Sequence, residues 1–226
     1  MRRDEPEPAG TSAAARQLAT WLMQKGLAGT GPLTSAKDLA REYQDDARYA
    51  TTDERVDALI ERETIKNFAT GFVTGVGGII TLPVSIPSAL AASWLIQARM
   101  AGAIATLYGH DLSAARTQTA VLMSLAGDVA KDAMQGLGIP LGSKLTQRAV
   151  EQIPGRALVE INKRIGMRLL TRAGERGLSS FSRFVPVVGG VVGGALDALV
   201  CRVVGRTAKT LLRRAEGTVL EGELVP

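Results

Sequence analysis

The residues best suited to acid–base chemistry stand together in the run Tyr108, Gly109, His110 and Asp111. A phenol, an imidazole and a carboxylate can pass a proton among them, as in a hydrolase-type enzyme. The run also has a structural interpretation, because Gly109 has the position of a glycine that ends a helix and Asp111 that of a residue before the next helix. We favour the structural interpretation, since a single histidine in a turn is an ordinary structural residue.

Other patterns of catalytic and metal sites are missing from the sequence. No serine lies in a Gly-x-Ser-x-Gly context, and the glycines around Gly75 lack the preceding strand and the following Gly-Lys-Ser/Thr of a phosphate-binding loop. Asp128 and Asp132 share a helix face, but a second acidic pair to complete a metal site is absent. His110 is the single histidine and Cys201 the single cysteine, which excludes His-rich and Cys-cluster metal sites. We expect no catalytic residue, no metal and no cofactor.

Two charged residues lie within apolar helical stretches, Arg99 and Asp197. A lone charge is expensive to bury, whereas a buried pair is much less so. We predict that these two meet, or that each meets another charge such as Asp111 or Arg202, in a structural ion pair. The alternative is a path for protons or ions.

The composition is that of a folded protein with a substantial core. The chain has 226 residues, of which 46% are hydrophobic and 22% charged, and its mean hydropathy is +0.10. Aromatic residues are few, at 4%, and glycine is frequent, with 25 residues, which predicts helices whose backbones pack closely. A single cysteine cannot form a disulfide within the chain, which indicates a reducing compartment, and the first residues lack the apolar region of a secretory signal. We therefore expect a cytoplasmic location.

The most unusual element is a segment of 32 residues without an ionisable group, Asn67–Ala98. Its length would suffice to cross a membrane. However, Pro83 and Pro87 interrupt it, and its second arm, Ser88–Tyr108, carries Arg99 near the middle. The pattern predicts a helical hairpin that is either buried in a soluble core or re-entrant in a membrane.

The remaining segments also have helical patterns, and no strand pattern of comparable length occurs. Helices are predicted at Ser12–Leu27, after the caps Ser35 and Thr51, at Ser113–Gln135, Leu141–Gln152 and Gly155–Thr171, and, after a loop at Gly174–Ser180, through the apolar block Phe184–Leu196 to the basic end Arg202–Arg214. The predicted fold class is all-α, a single multi-helix domain built around Gly-rich apolar helical hairpins. The predicted boundaries are a disordered tail at 1–12, an N-terminal helical extension at 13–49, the main helical domain at 50–215 and a tail at 216–226.

Glycines recur at small-xxx-small spacing in both apolar blocks. Because glycine has no side chain, this spacing lets two helix backbones approach closely, in a membrane or in a soluble core. We predict that these glycines line the packing between two hairpins, Phe68–Leu107 and Phe184–Val200. They are Gly71, Gly75 and Gly78 in the first block and Gly189, Gly190, Gly193 and Gly194 in the second.

The net charge of +5 is unevenly placed: residues 1–66 carry 10 basic and 12 acidic side chains, whereas residues 144–214 carry 14 basic and 4 acidic ones. Within the second region, Arg164, Arg168 and Arg172 recur every fourth residue beside an apolar stripe. A basic amphipathic helix is attracted to anionic lipid, although it can equally pack on a core with a solvated basic edge. Nucleic acid is the less favoured partner, because aromatic side chains for base stacking are nearly absent there.

Three blocks of the sequence resemble the EcsC protein family of bacteria. They are Gly-Gly-Ile-Ile-Thr-Leu-Pro ending at Pro83, Tyr-Gly-His-Asp ending at Asp111 and Pro-Val-Val-Gly-Gly ending at Gly190, in the expected order within residues 50–215. The resemblance implies an all-α domain, a bacterial source and a link with membrane traffic, since the family is named after a gene that neighbours an ABC transporter operon. It supplies no catalytic residues, and the first 45 residues have no counterpart in it.

Together these features predict a protein that is peripheral or re-entrant at a membrane. It would bind anionic lipid through the basic face and the Gly-rich apolar hairpins, in an accessory role in transport or envelope function, with a membrane transport complex as an expected partner. Three alternatives stay open: a soluble helical module that binds an apolar ligand, a membrane-disrupting effector, and a hydrolase-type enzyme that uses Tyr108, His110 and Asp111.

Overall fold

A computed structural model describes residues 9–30, 33–69, 86, 88–136, 138, 147–179 and 186–213. This part of the chain forms nine α-helices and no strand, which confirms the predicted all-α class of a single domain. The helices are α1 (Ala9–Ala28), α2 (Ala36–Gln44), α3 (Thr52–Ala69), α4 (Ser88–Leu107), α5 (Ala115–Ala126), α6 (Asp128–Gln135), α7 (Gln147–Glu151), α8 (Gly155–Ser179) and α9 (Pro186–Leu212).

The helices α4 and α5 lie at the centre of the bundle. α4 packs against α1, α2, α3, α5 and α9, and α5 also packs against α8 and α9. Leu95, Met100 and Ile104 of α4 are fully buried, as are Val121 and Met123 of α5. Around this centre, α3 lies along α9 and α1 along α8. The second arm of the predicted hairpin is therefore the central helix of the core.

The first two helices share this core. Leu18 and Leu22 of α1 and Leu39 of α2 are buried, and α1 packs against both α4 and α8. α1 also begins at Ala9 and thus includes residues 9–12, which the sequence analysis placed in a tail. The segment predicted as an N-terminal extension is therefore packed with the helices that follow it, while residues 1–8 and 214–226 lie outside the described residues.

Two helix starts form as their capping residues predict. Before α2, the Ser35 Oγ accepts a hydrogen bond from the backbone N–H of Asp38 at 3.1 Å. Before α3, the Thr51 Oγ1 accepts from the N–H of Glu54 at 3.2 Å, while the Glu54 Oε2 accepts from the N–H of Thr51 at 3.2 Å. This reciprocal arrangement is a capping box, which satisfies backbone donors that the first helical turn leaves unpaired.

Two predicted boundaries differ from the structure. The helix predicted at Ser113–Gln135 is divided into α5 and α6 by Gly127, whose φ of 61° is a conformation that glycine adopts without strain. The loop predicted at Gly174–Ser180 is helical through Ser179, because a glycine in a helix costs only about 1 kcal/mol. Of the helix predicted at Leu141–Gln152, residues 141–146 lie outside the described residues.

Helices do approach closely at glycines, although at positions that the sequence analysis did not name. Gly166 of α8 lies against the backbone of Ala15 in α1, and a Cβ atom at Gly166 would overlap the Ala15 carbonyl. A Cβ atom at Gly26 of α1 would come within 2.7 Å of the Ala98 Cβ of α4. The predicted packing glycines Gly71, Gly75 and Gly78 lie outside the described residues, and the surroundings of Gly189, Gly190, Gly193 and Gly194 are likewise not described, so that their role stays a prediction.

Candidate functional site

A buried ion pair joins α4 to α3. Arg99, which is 8% exposed, donates from Nη2 to the Glu63 Oε2 at 2.7 Å and from Nη1 to the Thr34 Oγ1 at 3.1 Å. Glu63 is 2% exposed and also accepts from the Lys66 Nζ at 2.9 Å. Arg99 therefore does not pair with Asp197. It meets another charge, which is the second of the two predicted alternatives, although its partner Glu63 was not among the charges considered.

The geometry of α4 explains why Arg99 does not reach Asp197. Asp197 and Arg172 line a cavity of about 360 Å³ together with Gln97 of α4. Two residues along a helix correspond to a turn of about 200°, so that Gln97 and Arg99 leave α4 in nearly opposite directions. Of the other two charges considered for such pairs, Arg202 is exposed, and Asp111 is exposed beside α5.

Glu63 is the ion-pair partner of Arg99 that the sequence analysis missed. It continues the buried stripe of α3 formed by Val56 and Ile60, at the helical spacing of three to four residues. An acidic residue on an apolar stripe indicates a buried cation opposite. That signal was present in the sequence, but it does not identify which helix supplies the cation.

Residues of the Tyr108–Asp111 segment, which follows α4, form hydrogen bonds with α3 and with the end of α9. The Tyr108 hydroxyl donates to the Asp53 Oδ1 of α3 at 2.6 Å. The His110 Nε2 lies 2.6 Å from the backbone oxygen of Leu212, the last residue of α9. Since a carbonyl oxygen can only accept, this His110 nitrogen carries the proton and caps an otherwise unpaired group at the helix end.

Gly109 and Asp111 have the structural roles that their positions predict. Gly109 has a φ of 73°, and the N–H of His110 donates to the Ala105 oxygen at 2.9 Å, a hydrogen-bond pattern that ends α4. Asp111 accepts from the backbone N–H of Ser113 at 2.9 Å and from its hydroxyl at 2.6 Å. Tyr108, His110 and Asp111 thus bind three different partners, which favours the structural interpretation of the run.

Ion pairs at Asp53 and Asp57 also connect α3 with the end of α9. The Asp53 Oδ2 lies 2.6 Å from the Arg213 Nη2, and the Lys209 Nζ of α9 lies 2.7 Å from the Asp57 Oδ1 of α3. Burial raises the pKa of the Tyr108 phenol far above its usual range, and the hydrogen bond to Asp53 raises it further. The phenol therefore stays protonated at neutral pH and donates to Asp53.

The three arginines predicted as a lipid-binding face differ in their surroundings. Arg164 pairs with Glu160 through Nε at 3.1 Å, and its guanidinium lies over Gly136 at the end of α6. Arg172 is partly buried and lines the cavity of about 360 Å³ described above. Arg168 is exposed. Of the three, Arg168 is therefore the most directly placed to meet a surface.

Most of the exposed large apolar side chains in the described part of the chain belong to α3 and α9. Five occur among the described residues, and four of them belong to these two helices. We call these four the apolar pole: Ile65, which is 57% exposed, Leu199 at 59%, Val200 at 36% and Val203 at 50%.

The antiparallel packing of α3 and α9 places the four pole residues at one end of this helix pair, where Val200 also lines the cavity of about 360 Å³ beside Arg172 and Asp197. Gly205 of α9 lies on the side chain of Ile60 in α3, five residues before Ile65. Lys209, later in α9, contacts Asp57, which is nearer the start of α3. Continuing this register places Ile65 beside the turn of α9 that holds Leu199 and Val200. The pole therefore lies at the end of α3 where the uncharged segment Asn67–Ala98 begins.

Exposed basic side chains lie near the residues of the apolar pole. Arg202 and Arg206 are exposed on α9, among the apolar residues of the pole. Lys66 follows Ile65, and its side chain is 44% exposed. Between 197 and 213, α9 and the residue after it carry four basic side chains and one acidic side chain, Asp197.

One helix among the described residues, α4 at Leu90–Leu107, is long and apolar enough to cross a membrane by length and composition. In the structure 83% of this stretch is buried in protein. The central helix of a soluble bundle has the same length and composition, and the Arg99–Glu63 pair ties α4 to α3 within the core.

A second cavity, of about 650 Å³, lies between α1 and α8 near the starts of α2 and α5. Apolar side chains form most of its wall, and Arg16 and Lys37 also line it. Within the described part of the chain, no group of three or more His, Cys, Asp or Glu residues is placed to hold a metal ion.

The comparisons with known proteins give one match. Neither the curated proteins nor the solved structures contain a significant match to this chain. The model of the EcsC protein family, by contrast, matches residues 8–215. This match is longer than the resemblance seen in the sequence, because it also covers α1 and α2. Since most of the chain is matched, this protein belongs to the EcsC protein family.

Proposed function

We propose that this protein associates peripherally with anionic membranes through the apolar pole and the basic side chains around it. The observation that carries the proposal is the exposure of Ile65, Leu199, Val200 and Val203 at one end of the α3–α9 pair, with Arg202 and Arg206 exposed on α9. Apolar side chains that insert into lipid, flanked by arginines that contact anionic head groups, are the two features of an interfacial membrane site.

The size of the pole supports reversible binding. Complete burial of one Val, Leu or Ile side chain contributes about 1.5–3 kcal/mol, and these four are about half exposed, so that together they supply roughly 3–6 kcal/mol. Each basic side chain near an anionic surface adds about 1 kcal/mol. Both contributions are needed for stable attachment, and we therefore expect binding to require anionic lipid and to weaken as salt rises.

The position of α4 supports peripheral association with the membrane rather than a membrane-spanning arrangement. To cross lipid, α4 would have to leave its contacts with five other helices and separate Arg99 from Glu63. A charged residue at the centre of a bilayer costs several kcal/mol. The role that we propose for the association is accessory to a membrane transport complex or to envelope function.

Vesicle flotation tests the proposal. We expect the protein to float with vesicles that contain phosphatidylglycerol and to stay at the bottom with pure phosphatidylcholine. Leu199→Gln/Val203→Gln and Arg202→Glu should each reduce the floating fraction by about tenfold, since the first removes most of the apolar insertion and the second reverses a charge beside it. All three positions are exposed, so that circular dichroism should show unchanged folding.

Two matched variants serve as controls. Val159→Gln changes an exposed apolar residue of α8 outside the pole, and Arg48→Glu reverses an exposed charge before the start of α3, about 20 Å from Ile65. Both should float like the wild type. Wild-type protein that stays at the bottom with both kinds of vesicle would refute membrane association. Dye leakage from the anionic vesicles separates this proposal, which predicts none, from a membrane-disrupting effector.

A further inference from the structure

The cavity of about 650 Å³ between α1 and α8 has the size of a pocket for a small organic ligand, since such pockets measure roughly 300–1,000 Å³. Residues of α1, α2, α5 and α8 and of the segments before α2 and α5 line it, and it is open to solvent on one side. Its apolar wall is formed by Ala19, Met23, Leu27, Leu112, Leu122 and Val159. Polar side chains also line the cavity, among them Thr20, Gln24 and Asn162, but apolar surface predominates and fits a hydrocarbon chain.

Val159 gives an independent indication of a ligand. It is 64% exposed, the highest exposure among the large apolar side chains of the described residues, and it lies far from the apolar pole in sequence, on the first turns of α8. Its side chain lines the cavity. A bound apolar chain would cover part of this exposed surface.

The charges of the cavity are positive. Arg16 of α1 and Lys37 of α2 both line it, and no acidic side chain does. Arg16 donates one hydrogen bond, to the Ser12 Oγ at 3.2 Å, and neither Arg16 nor Lys37 forms a salt bridge in the described part of the chain. Lys37 contributes to lowering the pKa of Asp111, after the hydrogen bonds from Ser113, so that the two charges lie near each other, and Ser113 holds that carboxylate with two hydrogen bonds.

We propose that this cavity binds a single-chain amphipathic anion, a hydrocarbon chain that ends in a carboxylate or a phosphate. The chain lies against Met23, Leu122 and Val159, and the anionic head lies between Arg16 and Lys37. The site is separate from the apolar pole and does not depend on membrane association. It gives the protein a ligand as well as a surface to bind.

Calorimetric titration of the full chain in the absence of vesicles tests this proposal. Laurate, below its micelle concentration, should bind with one site per chain, and the uncharged dodecanol should bind about tenfold more weakly because it lacks the charge that Arg16 and Lys37 recognise. Arg16→Gln/Lys37→Gln should weaken laurate binding by at least about tenfold and leave dodecanol binding unchanged. Val159→Trp should block both ligands by filling the cavity.

Arg168→Gln is the control, because Arg168 is an exposed cation of α8 outside the cavity. It should bind laurate like the wild type. Comparison with lauroyl lysophosphatidylglycerol identifies the source of the ligand: tighter binding of laurate indicates a free fatty acid, and tighter binding of the lysolipid indicates a membrane lipid. The proposal is overturned if neither compound saturates one site, or if both cavity variants bind laurate as the wild type does. Failure of flotation alone would leave these results unchanged.

Discussion

Glu63 and Arg99 place two opposite charges inside a core that is otherwise mostly apolar. Their contribution depends on the pairing, because each charge alone would be desolvated without compensation. The two partners are not equivalent. Glu63 also contacts Lys66, whose ammonium reaches solvent. Among the described residues, the partners of Arg99 are Glu63 and the Thr34 hydroxyl, and its Nε has no hydrogen-bond partner there.

We therefore predict an asymmetric effect of removing either charge. Glu63→Met should lower the free energy of unfolding by about 3–5 kcal/mol, because it leaves the Arg99 guanidinium buried and unpaired. Arg99→Met should cost less, since Lys66 still neutralises Glu63. The double variant Glu63→Met/Arg99→Met should be more stable than Glu63→Met alone, because no charge is left unpaired. Urea denaturation measures all three.

A second double-mutant cycle, between Arg99 and Asp197, is the control for this assignment. Coupling between Arg99 and Asp197 should stay within about 0.5 kcal/mol, as for residues that do not interact, whereas coupling between Arg99 and Glu63 should exceed it clearly. Equal coupling energies in the two cycles would show that Glu63 is not the specific partner of Arg99.

Tyr108 gives the stability of the protein a dependence on alkaline pH. Burial holds the pKa of its phenol above the value of about 10 in the unfolded chain, so that the folded protein keeps the proton when the unfolded chain loses it. Stability from this group is therefore complete below pH 10 and is lost as the pH rises above it. Between pH 8 and pH 10.5, the wild type should lose about 0.8 kcal/mol more unfolding free energy than Tyr108→Phe.

Urea unfolding at the two pH values measures this difference. Tyr43 also has a pKa raised by burial, so that some alkaline destabilisation should persist in Tyr108→Phe. At pH 8 the variant should be less stable by about 1 kcal/mol, the usual loss for one hydrogen bond, here the bond to Asp53. Identical pH profiles for the wild type and Tyr108→Phe would contradict the proposed cause.

The crossing of α1 and α8 depends on a glycine, since Gly166 touches the backbone of Ala15. A neighbouring side chain could rotate away from an added methyl group, but the Ala15 carbonyl can move only with its helix. We predict that Gly166→Ala lowers the free energy of unfolding by about 1–3 kcal/mol, as overpacking in a core does. Thermal or urea unfolding measures the change.

Gly174→Ala is the matched control, because Gly174 lies on the same helix and a Cβ atom there would meet nothing within 4 Å. Alanine favours a helix over glycine, so that this variant should be more stable than the wild type by up to about 1 kcal/mol. If both alanine variants gained stability, α8 would not be in close backbone contact with α1.

Features that depend on neighbouring residues in the chain could be predicted from the sequence, whereas features that depend on helix pairing could not. The capping spacing predicted the starts of α2 and α3, and the position of Gly109 predicted the end of α4. The presence of a glycine does not by itself decide where a helix ends, since Gly127, with a φ of 61°, divides two helices while α8 continues through Gly174. The burial of Arg99 also followed from its apolar neighbours.

The partner of Arg99 and the apolar pole required the arrangement of the whole molecule. Glu63 lies 36 residues from Arg99, and Ile65 lies more than 130 residues from Leu199, so that no local pattern links them. The arginine row of α8 was visible in the sequence, but Glu160 and Gly136 at Arg164 were not predictable as neighbours. Recognition of the family likewise began at the local blocks and missed α1 and α2.

Peripheral association makes a prediction about the interior of the molecule, for which Cys201 is a natural probe. It is the single cysteine of the chain, it is fully buried, and its Sγ lies 3.8 Å from the Met100 Sδ where α9 packs on α4. If only the surface of the apolar pole meets lipid, α9 stays on α4 and the thiol stays covered.

The rate of Cys201 alkylation by a water-soluble maleimide should then be the same with and without phosphatidylglycerol vesicles. Leu199→Gln/Val203→Gln, for which we expect about tenfold less binding to these vesicles, is the reference in the same lipid mixture. An acceleration of about tenfold, seen in the wild type and not in this variant, would mean that binding separates α9 from α4, and α4 would then be free to enter the membrane.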